Sequence, residues 1–435
     1  MRVLTVGNLY PPHHFGGYEQ VWAAAVAHLM RRGHQVRVLA VDYRHPGVRD
    51  PDPPEVLRVL RWYWRDHDFD PLPYRERLRI ERHNQRELAR QLNEFDPQVV
   101  SFWSMGGMSH SLIEQTRRRD IPIVCFVHDQ WLDYGRTFDQ WTRMSIAPGY
   151  RRLAPMVEML TGIPTRVSYG VAGRYVFVSD FVRQRALALG LGLGDTDVAP
   201  SGIAPVFAPS EPPDEWEWRL LYVGRLHPDK GIEEALRCLT LLPDQATLTF
   251  AGSWDPRDED ALGDLVMELG LESRVTMLGQ LTPTEVAGVY RRSHVLLFPV
   301  RWDEPWGLVP LEAMASGCPV VATGRGGSAE YLRDGENCLL VPAGDPSGLA
   351  EAVGRLAESR SLRDRLRAAG IETASGHTEE AFNRSVERHL SEVAGVPIAT
   401  SDAAEPDQRD RREGGPSPGG PKYSSTRAGT PPTSV

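Results

Sequence analysis

Three observations predict an α/β fold of two doubly wound, Rossmann-like domains. With 435 residues and 41% hydrophobic content, the chain is too long for one ordinary core. It opens on an apolar run, Val3 to Val6, followed by a helical pattern from Tyr18 to Arg32 stopped by Gly33, and a second apolar run, Gln35 to Val41. That strand, helix, strand order is a βαβ unit, which implies a parallel sheet with a right-handed crossover. A stretch of Pro and acidic residues, Pro205 to Asp214, then breaks the pattern, and the alternation restarts at Arg219.

The elements follow in order. Further strands of the first half are expected at Gln98 to Trp103, Ile121 to Val127 and Tyr175 to Val178. Between them, Tyr43 to Tyr74 and Gln130 to Thr165 read as long, aromatic, irregular segments, and connections of that length usually carry recognition. The second half repeats strands and helices at short spacing, with strands at Leu220 to Val223, Leu248 to Ala251, Val275 to Leu278, Val295 to Pro299, Val320 to Thr323 and Cys338 to Val341. A last amphipathic helix is expected over Glu379 to Val393, and beyond about Ala399 the composition turns to Pro, Gly, Ser, Thr and charge. The predicted layout is therefore a first domain over 1–208, a second over 209–377, a crossover helix over 378–396 and a disordered tail over 397–435.

Composition excludes several classes. No basic region followed by an apolar run and cleavage site opens the chain, and no stretch of about 18 apolar residues occurs, so a cytoplasmic protein is expected. Cys125, Cys238, Cys318 and Cys338 are too far apart for zinc or disulfide frameworks and read as buried thiols. The formal charge of −9 argues against a nucleic-acid partner. Residues 1–208 hold 26 Arg against 22 acids, a net of +4, which leaves −13 for the rest. A mildly basic first half fits either an anionic acceptor, the inner face of a membrane as a peripheral partner, or an Arg-rich solvated surface.

Four segments carry chemistry. Glu304, Pro305, Trp306, Gly307, Leu308, Val309, Pro310, Leu311 and Glu312 follow a strand and open a helix. Amides in a first helical turn lack intrahelical acceptors and sit at the positive end of the dipole, so the N–H groups of Leu308 and Val309 suit a phosphate, and Gly307 lets it approach. Glu312, one turn in, is placed to accept from vicinal ribose hydroxyls, and Glu304 lies before the helix, where it can face a sugar. At a second strand-to-helix junction, Arg225 and Lys230 would bracket a diphosphate and neutralise charge growing on a leaving group. The chain contains two lysines, Lys230 and Lys422, so Lys230 alone interrupts a folded region that otherwise uses Arg. Gly16 and Gly17 form a turn before a helix, which either presses amides against phosphate or is simply a turn. The pair His128 and Asp129 follows the run Ile121 to Val127 at the carboxyl edge, where α/β ligands bind; for His128 a structural role is equally open.

Together these pieces resemble the retaining GT-B glycosyltransferases of family 4, the group of glycogen synthases, sucrose synthases and bacterial mannosyltransferases. The matching features run in order through Gly16 and Gly17, His128, Ser179, Pro200 to Phe207, Arg225 and Lys230, Glu304 to Glu312, and Gly326, Gly327 and Glu330. The resemblance implies a hexosyltransferase-type enzyme that uses a nucleotide diphosphate sugar and keeps the anomeric configuration, with no cofactor and no metal. Arg225, Lys230 and the amides near Gly16, Leu308 and Val309 would hold the diphosphate. Glu312 would take the ribose, Glu304 the sugar, and His128 the anomeric region, while the last helix would cross back to the first domain. The acceptor, small-molecule, lipid-linked or glycan, does not transfer with the likeness, because the aromatic segments Trp62 to Trp64 and Trp131 to Tyr134 fall where the family varies. An epimerase or phosphorylase of the same fold and a non-catalytic sugar-nucleotide sensor are the alternatives.

Overall fold

A computed structural model describes residues 1–398 apart from 15, 46–47, 64–70, 212–214 and 253–255. Met1–Pro397 form one compact unit that holds two parallel sheets. The first contains β1 (Arg2–Val6), β2 (Gln35–Val41), β3 (Val56–Leu60), β4 (Val99–Phe102), β5 (Ile123–Val127), β6 (Arg174–Phe177) and β7 (Thr196–Val198), in the spatial order β3-β2-β1-β4-β5-β6-β7. The second contains β8 (Arg219–Val223), β9 (Thr247–Ala251), β10 (Val275–Met277), β11 (Val295–Phe298), β12 (Val320–Ala322) and β13 (Leu339–Leu340), ordered β10-β9-β8-β11-β12-β13. Both sheets reverse direction of growth beside their first strand, the arrangement that opens a crevice at the carboxyl ends of the strands.

The core strands are nearly continuous apolar runs because helices cover both faces. Every residue of β4, β5 and β11 is buried. All four cysteines are buried and free, as expected. Among the described residues no helix is long and apolar enough to cross a membrane. The expected tail lies outside the described residues.

Two readings need correction. The segment from Tyr43 to Tyr74 is not wholly irregular, because β3 pairs in parallel with β2 through Val38 and Val56. The segment from Gln130 to Thr165 holds the helices Trp131–Phe138 and Ala154–Thr161 and a single turn, Thr142–Ser145. Several of the large aromatics there fill the core: Trp62, Tyr63 and Trp131 are at most 6% exposed, while Trp64 lies outside the described residues. Their large apolar area is what closes these segments onto the sheet.

The chain crosses between the sheets twice, and the two crossings are bonded together. Ile203 pairs with Thr378, its N–H donates to the His377 carbonyl at 2.9 Å, and it accepts from the Glu379 N–H at 2.9 Å. The helix Glu379–Ala394 then packs against the helix Gly17–Arg31, where the Glu387 carboxylate meets His28 Nε2 at 3.2 Å and His34 Nε2 at 2.8 Å. The expected crossing of the last helix is thereby observed.

Candidate active site

Four loops that follow strand carboxyl ends build the site: one after β1, one after β5, one after β8 and one after β11. The loop after β1 leads through Gly16 into the helix Gly17–Arg31, and Gly16 N–H is held by the Glu19 carboxylate at 3.2 Å. The loop after β11 leads into the helix Leu308–Ala315. These two helix starts meet, since a Cβ on Gly17 would lie 3.9 Å from the Leu308 side chain. Amides from both halves thus converge with the positive ends of two dipoles, which is the physical requirement for an anion site. Pro310, in that first turn, has no N–H, so the unpaired amides at the start of the second helix are those of Leu308 and Val309.

Gly307 holds its start in a left-handed conformation, φ +87°, with the Tyr331 hydroxyl and the Glu304 Cγ within 3.2 and 3.3 Å of where a Cβ would stand. The Gly307 carbonyl accepts from the Tyr331 hydroxyl. Gly231 does similar work after β8: at φ +74° a Cβ would sit 2.0 Å from the Pro299 carbonyl oxygen, so only glycine brings the Lys230 turn against the end of β11.

That approach delivers Lys230 to Glu304. Nζ lies 2.7 Å from Glu304 Oε2, and the same oxygen accepts from Trp302 Nε1 at 2.8 Å. The ammonium also lies 4.6 Å from the centre of the Trp302 ring. Arg225 is exposed on the cleft side of the same loop, near enough to Glu19 of the other half to lower that carboxyl's affinity for protons against the larger opposing effect of burial. Glu312 is half-buried; burial raises its pKa to about 7, and the Tyr290 hydroxyl donates to it at 3.0 Å.

His128 occupies a different environment. Its ring stacks on Tyr18 at 4.9 Å and packs against Trp103 and Phe382 at 5.5 and 5.3 Å, while Nδ1 shares a hydrogen bond with Ser201 Oγ at 3.1 Å. Burial lowers its pKa to about 3, so it is neutral near pH 7, and Nε2 has no partner among the described residues. It is a hydrogen-bonding group and not a proton carrier at that pH. Next to it Asp129, with its pKa raised to about 6 by burial, accepts from the Tyr134 hydroxyl at 2.9 Å.

The Glu304 loop is clamped by the first half. Ser179 Oγ donates to the Pro305 carbonyl at 2.6 Å, Trp306 Nε1 to the Ser201 carbonyl at 3.0 Å, and Phe181 N–H to Glu330 Oε1 at 2.8 Å. The structure therefore brings together Gly16, Gly17, Arg225, Lys230, Glu304, Gly307, Leu308, Val309 and Glu312 around one crevice, with His128 at the carboxyl edge of the first sheet. Sequence reasoning missed Glu19, Tyr290, Trp302 and Tyr331. Glu19 alone left a signal, the spacing of a capping acid three residues after Gly16.

A family model described as Glycosyltransferase Family 4 matches residues 15–206, and one described as Glycosyl transferases group 1 matches residues 206–373. An uncharacterized glycosyltransferase of Methanocaldococcus jannaschii is 26% identical over 84% of this chain and 91% of its own. A D-inositol 3-phosphate glycosyltransferase of Nocardia farcinica is 34% identical over 43% of each chain. Among solved structures, sucrose-phosphate synthase from Thermosynechococcus elongatus superimposes with a TM-score of 0.69 at 21% identity, covering 91% of this chain and 99% of the other. The Anabaena protein HepE, solved in complex with UDP, does so with 0.65 at 19%, covering 90% and 100%.

Proposed function

The chain is a family 4-like glycosyltransferase of the GT-B fold, and from that premise we propose that it takes a sugar from a nucleotide diphosphate donor, with retention of anomeric configuration, and passes it to an acceptor hydroxyl. The observation that carries this reading is the convergence of two helix starts with Lys230 and Glu304. A diphosphate between the helices gains unpaired amides from each half, and Lys230 and Arg225 neutralise the charge that grows on it as the glycosidic bond breaks. A metal is unnecessary in this reading, because those cations and dipoles supply the positive field. Glu304, held by Lys230 and Trp302, faces the transferred sugar, and Glu312 accepts from the ribose hydroxyls. His128, neutral and with Nε2 open, donates or accepts one hydrogen bond beside the anomeric carbon. Residues 1–208 then hold the acceptor, residues 209–377 hold the donor, and the helix over 378–396 ties the two together. That HepE was solved with UDP supports a nucleotide-linked donor in this reading.

Two measurements test it. Thermal unfolding against UDP, GDP and ADP and their sugars should show one nucleotide raising the midpoint, since a ligand selective for the folded state stabilises it. With that donor, turnover of Lys230→Ala and Arg225→Ala should fall by about 10²- to 10³-fold while folding persists, and product NMR should show the donor's anomeric configuration. Wild-type turnover in both variants would refute the assignment, and an inverted product would refute retention.

A further inference from the structure

We propose that the face built by residues 142–171 docks onto an anionic lipid surface. Of the fourteen large hydrophobic side chains exposed among the described residues, seven fall here: Ile146, Tyr150, Leu153, Met156, Met159, Leu160 and Val171. Met159, Leu160 and Val171 are 76%, 71% and 72% exposed. So many exposed apolar side chains within one short stretch of chain are unlike the scattered apolar residues of an ordinary surface.

The local architecture turns the apolar side outward. In the helix Ala154–Thr161, Ala154 is buried against the fold, whereas Met156, Met159 and Leu160 project from the opposite side at i, i+3 and i+4 spacing. The helix acid, Glu158, is drawn away from that side: its carboxylate takes Arg118 at 2.6 Å and the Thr165 N–H at 2.9 Å. Four arginines, Arg143, Arg151, Arg152 and Arg166, are exposed around the apolar residues, and none has an ion pair or side-chain hydrogen bond among the described residues. With Glu158 the only acid, residues 142–171 carry +3 in a chain of −9.

An apolar helix face rimmed by unpaired arginines is the composition of an element that lies in a membrane interface, its side chains among acyl chains and its cations among anionic headgroups. Tyr150 adds a residue suited to the boundary between the two. The same charge speaks against a second copy as occupant, because a symmetric contact would set like-charged rims against each other. In the chain this segment follows the helix Trp131–Phe138, which begins just after Asp129 at the carboxyl edge of the first sheet. Resting on the transferase reading, docking here would supply an acceptor from the lipid surface to the half that receives it.

Co-sedimentation of the full chain with vesicles tests the docking without any turnover assay, so it fails separately from the transferase reading. Vesicles of phosphatidylcholine mixed with phosphatidylglycerol should bind the chain in a salt-sensitive manner, and phosphatidylcholine alone about tenfold less. The double substitutions Met159→Asp with Leu160→Asp and Arg151→Glu with Arg152→Glu should each lose about tenfold in partitioning. Their thermal midpoints and nucleotide diphosphate binding should match the wild type, since these side chains are exposed and none is among the residues placed at the crevice. Failure to bind the anionic vesicles, or wild-type binding by either variant, would overturn the proposal. So would a solution dimer that the Met159 and Leu160 changes dissociate.

Discussion

At the scale of single residues, the crevice pairs groups whose charge states are set by burial. Glu312 carries a pKa of about 7 because burial disfavours its carboxylate, with only the Tyr290 hydroxyl offsetting that cost. Below that value the group is neutral and a weaker acceptor for two ribose hydroxyls, with one oxygen now carrying a proton; above it, the carboxylate accepts through both oxygens. Donor affinity is therefore expected to tighten as pH rises from about 6 to about 8, and Glu312→Gln should bind more weakly with a flat profile across that range. Calorimetric titration of the donor at several pH values reads this directly, and an unchanged slope in the Gln variant would remove Glu312 from the ribose. His128 contributes no such limb, because it stays neutral well below pH 6.

At the scale of elements, the site depends on how helices begin. The helix Leu308–Ala315 starts from Gly307 at φ +87°, with Tyr331 and Glu304 already in contact distance of an added Cβ. Gly307→Ala is expected to cost about 1–3 kcal/mol in urea unfolding and to weaken donor binding, since the amides of Leu308 and Val309 would have to shift. Unchanged stability and donor affinity would show that the turn tolerates a side chain. The same scale explains what the sequence made legible. Buried strands such as β5 and β11 announce themselves as apolar runs, and the Lys230 turn stands out by residue type in an Arg-using chain. The edge strands β3 and β7 did not: β3 is interrupted by Arg58, whose buried guanidinium is held by Asp52 at 2.6 Å, and β7 is Thr-Asp-Val with no residue fully buried. Their pairing comes from the neighbouring strand and not from local pattern. The surroundings of His128 were equally hidden, because Tyr18, Trp103 and Phe382 come from three distant segments that only the folded chain assembles.

At the scale of the whole molecule, several buried acids combine into one dependence of stability on pH. Burial raises Glu81 to about 8, although Tyr63 and Ser111 donate to it at 2.5 and 2.7 Å; it also raises Asp129 to about 6 and Glu312 to about 7. Each of these groups binds its proton more tightly in the folded chain than in the unfolded one, so the folded state holds more protons between the ordinary carboxyl range and about pH 8. Stability must then fall as pH rises through that window. A second set, Glu114 and Glu387, stays below the usual carboxylate range, because the hydrogen bonds from Arg117 and Arg118 to the one, and from His34, His28 and Arg32 to the other, outweigh burial. Their contribution is present above the unfolded value and is lost as pH falls beneath it. His128, with its pKa depressed to about 3 by burial, adds to the second set because it holds fewer protons folded than unfolded below its ordinary value, so the two sets oppose each other across the acidic range and the raised carboxyls dominate only between about pH 7 and about pH 8. Calorimetric midpoints should fall between about pH 7 and about pH 8, and Glu81→Gln, which keeps the hydroxyl contacts without the ionisation, should flatten that fall. A midpoint that climbs from about pH 7 to about pH 8 in the wild type would mean that Glu81 is ionised inside the fold.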